Sequence, residues 1–170
     1  MTSISSPLGE LTAIADESHL LGLYFPEHCP APADLAPDAP ALPHCEWDNH
    51  DLFIQLKSQL DEYFAKERTA FSIPIAFHGT DFNVTVWQFL QSIPYGQTTT
   101  YGEIAAQMGN KKLAQRVGQV VGRNPLSIIV PCHRVVGANG ALTGFAGGLE
   151  RKRFLLDLEA PSPADAGRLF

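Results

Sequence analysis

A chain of 170 residues is long enough for one ordinary domain or for two small lobes that share a core. With 45% hydrophobic and 18% charged residues, the composition excludes a disordered polar chain. The net charge of −6 is unevenly spread: residues 1–100 carry 3 basic and 13 acidic side chains, whereas residues 101–170 carry 9 basic and 5 acidic ones. This asymmetry indicates that only the C-terminal part faces a polyanion.

The N-terminal residues show no basic stretch followed by an apolar run, which is the pattern of a signal peptide. The longest apolar run, near Leu20–Phe25, is far shorter than a membrane span. We therefore expect a cytoplasmic protein with no membrane partner. Leu11–Ala15 and Leu20–Phe25 flank the polar residues 16–19, a pattern that predicts a β-hairpin.

Six prolines between Pro26 and Pro43 predict an exposed loop without regular structure. Two His-Cys pairs, at 28–29 and 44–45, lie in or beside this loop, but their spacing matches no zinc finger or ribbon. The third cysteine is Cys132, and three cysteines in a cytosolic chain argue against a disulfide framework. We expect no bound metal.

The middle of the chain predicts two helices and a short strand. Asp51–Lys66 has an apolar helical face, and Phe71–Phe77 resembles a strand that Pro74 makes irregular or places at an edge. A second module starts near Gly79, where Thr80 or Asp81 can cap a helix that continues to about Ile93. The sequence thus predicts an N-terminal domain of residues 1–78 and a C-terminal domain of residues 79–170.

Two further short helices follow in the second module. Thr100 can cap a helix over Tyr101–Met108, which Gly109 ends. Another helix is predicted from about Lys112 to Val121, with Gly122 suited to the left-handed position after a helix. Two short helices joined by a Gly-Asn turn have the outline of a helix-turn-helix.

The last third of the chain contains an apolar run that leads into Pro131-Cys132-His133-Arg134. We expect Ser127–Val130 to be extended and buried. Asn139-Gly140 predicts a hairpin between Val135–Val136 and Ala141–Leu142. The remaining predictions are a small-residue loop over Gly144–Gly148, a helix over Leu149–Leu158 and a frayed tail from Ala160.

Cys132 is the candidate nucleophile. A free thiol with a pKa of about 8.5 is only a few per cent thiolate at neutral pH, so it needs an activating neighbour. His133 is adjacent, and Arg134 adds positive potential. A lone cysteine is more often a small buried hydrophobic residue, but the string PCHRV favours a reactive thiol.

PCHRV, residues 131–135, is similar to the active-site signature of the O6-alkylguanine-DNA alkyltransferase family. The blocks SIPYGQTTTYGEIA, RVGQVVGRNP and GFAGGLERK extend the resemblance over roughly Phe82–Glu159, and SSPLGEL resembles the family's opening strand. The resemblance implies an α/β N-terminal lobe with a ribonuclease H-like sheet and a mostly α C-terminal lobe with a helix-turn-helix.

The resemblance also implies a reaction. An O6-alkylguanine, and also an O4-alkylthymine, is flipped out of double-stranded DNA and gives its alkyl group to Cys132 in one in-line step. The thioether is not reversed, so each molecule acts once, and no cofactor is needed because the damaged base is the donor. We expect a monomer, with cooperative assembly on DNA left open.

Individual roles follow from the same resemblance. His133 takes the thiol proton through a water, Glu159 orients the imidazole and Asn124 holds the active-site turn. Tyr101 donates to the guanine ring, and Arg116 fills the gap that the flipped base leaves in the stack. The other base contacts come from the backbone of Cys132, Val135 and Ala146, with Phe145 standing where a tyrosine is common. The DNA-facing positions, in a minor groove about 6 Å wide, are Ala114, Gln115, Val117, Gly118 and Arg123.

Three other interpretations remain open. A non-catalytic lesion-binding relative lacks the cysteine that this chain has. A cysteine hydrolase using Cys132 and His133 is disfavoured because adjacent side chains diverge in an extended chain and no G-x-C-x-G motif is present. A helix-turn-helix regulator normally has a dimerisation segment, and the sequence shows none.

Overall fold

The computed structural model describes residues 2–27, 51–145 and 147–160. The Pro-rich segment therefore lies almost entirely outside the described residues, as do both His-Cys pairs, Ala146 and the C-terminal tail from residue 161.

The N-terminal lobe contains a three-stranded antiparallel sheet of β1 (Thr2–Ser6), β2 (Gly9–Ala15) and β3 (Leu20–Tyr24), in that order. The predicted hairpin is confirmed as β2 and β3. The carboxylate of Asp16 closes its turn by accepting hydrogen bonds from the backbone N–H groups of Ser18 and His19, each at 2.7 Å. Alternate residues of β2 are buried, as expected for a sheet with one face on the core.

The outer edge of β3 pairs with two later segments instead of a fourth strand. At one end Leu20 exchanges backbone hydrogen bonds with Pro74 and Ala76. Phe71–Phe77 is therefore not a regular strand but, as Pro74 predicts, an irregular segment at the sheet edge, with one isolated bridge between Ile75 and Leu20. Pro74 lacks an N–H group, and the side chain of Gln59 holds Ser72 through two hydrogen bonds of 2.9 Å, so the segment follows local side-chain contacts.

At the other end of the same edge, β3 binds the C-terminal lobe. The N–H of Leu23 donates to the carbonyl of Pro125 at 2.8 Å, and the N–H of Ser127 donates to the carbonyl of Leu23 at 3.0 Å. We call this pair of hydrogen bonds the seam. It covers a sheet edge that would otherwise expose unpaired backbone groups.

Helix α1 (Asp51–Phe64) packs its apolar side on the core, which confirms the predicted helix. It ends two residues before the predicted boundary, and Lys66 just beyond it has a positive φ of 62°. The residues that α1 buries are Leu52, Phe53, Leu56, Gln59, Leu60 and Tyr63.

The first two helices of the C-terminal lobe begin at the predicted caps. Thr80 caps α2 (Asp81–Gln91) by accepting from the N–H of Asn83. After the two-residue strand β4 (Thr99–Thr100), Thr100 caps α3 (Tyr101–Gln107) in a capping box with Glu103. Gly109 then ends the turn with a φ of 96°, a conformation that glycine adopts without steric cost.

The next helix, α4 (Ala114–Gly122), is preceded by a 3₁₀ turn, Lys111–Leu113. The prediction that Gly122 takes the left-handed position is wrong. Gly122 is the last helical residue, and Arg123 ends the helix with a φ of −102°. The N–H of Arg123 donates to the carbonyl of Val120, so the last turn tightens without a left-handed residue.

Ser127–Val130 is buried as expected, apart from partly exposed Ile129, but it is not extended. It forms a turn in which the N–H of Val130 donates to the carbonyl of Leu126 at 2.9 Å and Ile128 has a φ of 72°. A β-branched residue with positive φ is unusual and needs support from its surroundings. The seam and the side chain of Asn124 provide that support.

The predicted hairpin after the cysteine is also wrong in its pairing. β5 (Val135–Val136) pairs in parallel with β4 and not with residues 141–142. A turn is still present, since the N–H of Gly137 donates to the carbonyl of Ala141 at 2.8 Å and Gly140 has a φ of 74°. The last helix, α5 (Leu149–Glu159), is confirmed.

One hydrophobic core joins the sheet, α1 and the C-terminal helices, which confirms an α/β N-terminal lobe and a mostly helical C-terminal lobe. Within the described ranges, every helix is too short or too polar to span a lipid bilayer.

Candidate active site

The candidate nucleophile lies in a 3₁₀ turn, Cys132–Arg134, directly after the turn of residues 126–130. Asn124 is buried beneath both turns. Its amide donates to the carbonyls of Val130 (2.8 Å) and Leu126 (3.3 Å), and its oxygen accepts from the N–H of Leu126 (3.0 Å). These three bonds fix the backbone that presents Cys132, whose own N–H donates to the Val130 carbonyl at 2.8 Å.

His133 and Glu159 are in direct contact. The Nε2 atom of His133 lies 2.7 Å from Oε1 of Glu159, and the imidazole is fully buried. An ionised carboxylate only accepts hydrogen bonds, so Nε2 carries the hydrogen. The lone pair of the neutral ring is therefore on Nδ1, which is buried and has no hydrogen-bond partner among the described residues. This is the protonation state that a general base requires.

Glu159 accepts three more hydrogen bonds. Arg134 donates from Nε to Oε2 and from Nη2 to Oε1, each at 2.8 Å, and the hydroxyl of Tyr63 donates to Oε1 at 2.7 Å. Burial alone would raise the pKa of Glu159, but the hydrogen bonds from His133, Arg134 and Tyr63 outweigh it and lower the pKa to about 2. Glu159 is thus a permanently charged anchor.

The thiol and the imidazole both rest in their neutral forms. Burial raises the pKa of the Cys132 thiol, and the hydrogen bond from Asn124 and the charge of Lys152 offset this only in part. Burial also lowers the pKa of His133, against the contrary effect of Glu159. The resting thiol therefore keeps its proton until a base removes it.

Lys152 is fully buried beside the thiol. Its Nζ donates to the carbonyl of Thr143 at 2.8 Å, and burial lowers its pKa to about 8, while Cys132 acts in the opposite direction. The hydroxyl of Tyr101 donates to the same carbonyl at 3.1 Å, and Lys152 Nζ lies 6.0 Å from the centre of the Tyr101 ring. The structure thus brings Tyr101 into the surroundings of Cys132.

One of the predicted base-contacting residues, Phe145, lies at the edge of an open depression. Phe145 packs against Phe25 with a ring separation of 5.6 Å and borders a cavity of about 750 Å³ that continues along the start of α5. Cys132 is 5% exposed and does not line that cavity. A purine therefore reaches the sulfur only if neighbouring side chains move. The side chain of Val135 is fully buried, so its backbone alone is available for a base contact.

The DNA-facing residues predicted from the resemblance lie along α4 and at its end. Gln115, Arg116 and Arg123 are exposed, and Ala114 and Gly118 are half-buried. Val117 is fully buried in the core, so its side chain has no surface to offer to DNA. The guanidinium of Arg116 stacks on Phe82, 3.8 Å from the ring centre.

Sequence reasoning missed three residues of this site. Arg134 was considered only for its positive potential near the thiol, although it binds Glu159 twice. Tyr63 belongs to the apolar face predicted for the Asp51–Lys66 helix, and the sequence predicts no role for Lys152. A signal existed for Lys152, since it lies on the same face of α5 as buried Leu155 and Glu159. Among the described residues, no cluster of His, Cys, Asp and Glu is arranged to hold a metal ion.

Two family models match the chain. Residues 1–77 match the ribonuclease-like domain of 6-O-methylguanine DNA methyltransferase, and residues 81–161 match its DNA binding domain. Together they span almost the whole chain and include the buried Cys132, His133 and Glu159. The chain therefore belongs to the 6-O-methylguanine DNA methyltransferase family.

Particular relatives agree with this assignment. The chain is 45% identical over 166 residues to the methylated-DNA–protein-cysteine methyltransferase of Mycobacterium tuberculosis, covering 96% of this chain and 94% of that protein. It is 44% identical over 154 residues to the protein of that name from Methanosarcina acetivorans, covering 91% and 94%. A crystal structure of the M. tuberculosis OGT protein in complex with DNA is similar, with a TM-score of 0.79, 42% identity and coverage of 95% and 94%.

Proposed function

We propose that this chain repairs alkylated DNA by moving the alkyl group from guanine O6 to the sulfur of Cys132. One observation carries the proposal: a buried thiol and a buried, neutral histidine are consecutive in one 3₁₀ turn, and a charged carboxylate fixes that histidine's tautomer. Membership of the family, and relatives named methylated-DNA–protein-cysteine methyltransferase, support transfer to a cysteine and a DNA partner.

The proposed step balances without a cofactor. Nδ1 of His133 takes the thiol proton through a water, and the thiolate attacks the alkyl carbon in line with the C–O bond. A sulfur–carbon bond forms as the carbon–oxygen bond breaks, and its electron pair goes to O6. The base, now an anion, takes up through water the proton that His133 gained and becomes ordinary guanine, and His133 returns to its neutral form. S-alkylcysteine is a stable thioether, so each molecule reacts once.

Recognition in this proposal uses the helical lobe. Helices α3 and α4, joined by Gly109-Asn110, act as a helix-turn-helix that enters the minor groove. The damaged base flips out, Arg116 leaves Phe82 and fills the gap in the stack, and Tyr101 donates to the guanine ring. Gln115 and Arg123 contact the backbone, and small Ala114 and Gly118 allow close approach. Val117 acts by packing α4 on the core.

The active-site loop provides the remaining base contacts. The backbone of Cys132 and Val135 binds the exocyclic amine, the N–H of Ala146 binds O6, and Phe145 shields the leaving oxygen without donating to it. Because direct readout in the minor groove is degenerate, binding is largely independent of sequence.

We also propose that O4-alkylthymine is a second substrate. The N-terminal lobe then contains a ribonuclease H-like sheet, and the domain boundary lies between residues 78 and 79. The protein acts as a monomer in the cytoplasm.

The test is the intact mass of the protein before and after mixing with a duplex that carries one O6-methylguanine. We expect one added methyl group per molecule, located on the peptide that contains Cys132. Cys132→Ala should lose transfer and still bind the duplex. Binding without a mass change would instead indicate a lesion-binding module, and turnover beyond one equivalent would exclude a single-use mechanism.

A further inference from the structure

The relay of Cys132, His133 and Glu159 is completed by a side chain from the N-terminal lobe. Tyr63 is on α1 and is fully buried, and its hydroxyl donates to Oε1 of Glu159 at 2.7 Å. The same oxygen accepts from Nε2 of His133, also at 2.7 Å. Tyr63 and His133 therefore compete for the charge of one carboxylate oxygen.

The position of Tyr63 is fixed by aromatic packing. Its ring lies 5.3 Å from the rings of both Phe64 and Phe71, and 6.3 Å from that of Tyr95 in an edge-on arrangement. Burial and the negative charge of Glu159 both raise the pKa of the Tyr63 hydroxyl, so it remains protonated and can only donate to the carboxylate.

We propose that Tyr63 is a positioning residue of the proton relay, through which the N-terminal lobe sets the basicity of His133. The inference rests on the proposed alkyl transfer. By taking part of the charge of Oε1, the tyrosine hydroxyl weakens the pull of Glu159 on the imidazole hydrogen. The ring therefore stays neutral at rest, with Nδ1 ready to accept the thiol proton.

The other charged groups around the pair set the direction of the effect. Arg134 on the same 3₁₀ turn and Lys152 on α5 are cations that disfavour protonation of His133, and Glu159 favours it. Tyr95 and Cys132 are neutral at rest. If the Tyr63 donor is removed, Glu159 acts more strongly on His133 while both cations stay unchanged. The pKa of His133 should then rise.

Tyr63→Phe tests this inference, since it removes the hydroxyl and keeps the ring in its aromatic cluster. The rate of a single round of transfer from an O6-methylguanine duplex is measured as a function of pH. A higher pKa leaves less neutral His133 at a given acidic pH. We expect the acidic limb of the profile to move up by about one pH unit, the size of one lost hydrogen bond to a charged group.

Tyr95→Phe is the matched control. Its hydroxyl contacts the carbonyl of Leu158 at 3.4 Å and not Glu159, and its ring belongs to the same cluster. We expect its pH profile to overlap that of the unaltered chain. If the Tyr63→Phe profile also overlaps, the inference is wrong. If that variant is slower by the same factor at every pH, Tyr63 acts through packing alone, and the inference is again wrong.

A second measurement separates this inference from the proposed reaction. The titration of the His133 imidazole, followed by NMR in the free protein, needs no DNA. It should show a higher midpoint in Tyr63→Phe than in Tyr95→Phe, and equal midpoints would overturn the inference. A chain that transfers no alkyl group but shows the shifted midpoint would refute the proposed function and leave the role of Tyr63 intact.

Discussion

The relay around Glu159 and the outer face of α4 are built on opposite principles. His133 and Glu159 are buried, and Glu159 accepts four hydrogen bonds from three side chains. On α4, Gln115 and Arg116 are exposed, and Arg116 is held by a stacking contact with one ring. The proposed relay is thus preorganised, whereas the face of α4 where we propose that DNA binds is free to rearrange.

The largest effect is expected from Glu159→Gln. The neutral amide cannot balance the charge of buried Arg134, and it no longer stabilises the imidazolium that forms when His133 takes the thiol proton. We expect the transfer rate to fall by about 10²–10⁴-fold, the usual contribution of general acid–base catalysis. Loss of one partner from a buried ion pair should also lower the free energy of unfolding by about 3 kcal/mol.

Single-round transfer kinetics and urea unfolding measure both quantities. Glu150→Gln on the exposed start of the same helix is the control and should change neither. An unaltered transfer rate in Glu159→Gln would remove the carboxylate from the mechanism.

A smaller and purely functional effect is expected from Arg116→Ala on α4. We expect weaker binding and about tenfold slower transfer at limiting DNA, with a free energy of unfolding within about 0.5 kcal/mol of the original. Transfer measured over a range of DNA concentrations gives the first quantity, and urea unfolding gives the second. Arg153→Ala, on the exposed side of α5, controls for the loss of one positive charge. Equal losses in both variants would show that charge alone matters at Arg116.

The most gradual effect is the dependence of stability on pH. Burial holds the folded-state pKa of His133 below its ordinary value of 6.5. Its contribution to the free energy of unfolding is therefore complete above pH 6.5 and is lost as the pH falls through the folded-state pKa. The contribution of Glu159 has the same sign: it is complete above the ordinary pKa of 4.5 and is lost as the pH falls toward the folded-state pKa of about 2. We expect the free energy of unfolding to fall in two stages on acidification. Urea unfolding from pH 8 to 3 measures it, with His78→Gln as an exposed control. A flat profile between pH 7 and 5 would contradict the burial of a neutral imidazole.

The same contrast explains which features the sequence could predict. Local signals were sufficient where short-range chemistry decides the structure: Thr100 caps α3, and Gly109 ends its turn. The candidate relay of Cys132, His133 and Glu159 came from a family resemblance, and the structure places His133 and Glu159 in contact.

The wrong predictions concern segments whose conformation depends on residues far away in the sequence. Ser127–Val130 has the composition of a strand, yet Asn124 and the seam to β3 force a turn with Ile128 at positive φ. β5 pairs with β4, more than thirty residues earlier, although a good hairpin turn follows it directly. Tyr63 lies on the buried face that hydrophobic periodicity predicts for the first helix. Periodicity does not show whether the hydroxyl of such a buried ring has a partner.

The seam has a consequence for how the protein matures. Leu23 and Ser127 are far apart in the chain, so the seam, which adds to the local hydrogen bonds of Asn124, forms only after a long loop has closed. The N-terminal sheet is synthesised first, so we expect the edge of β3 to remain uncovered until residues 125–127 have been made. We therefore expect the turn that leads to Cys132 to gain this last support late in folding.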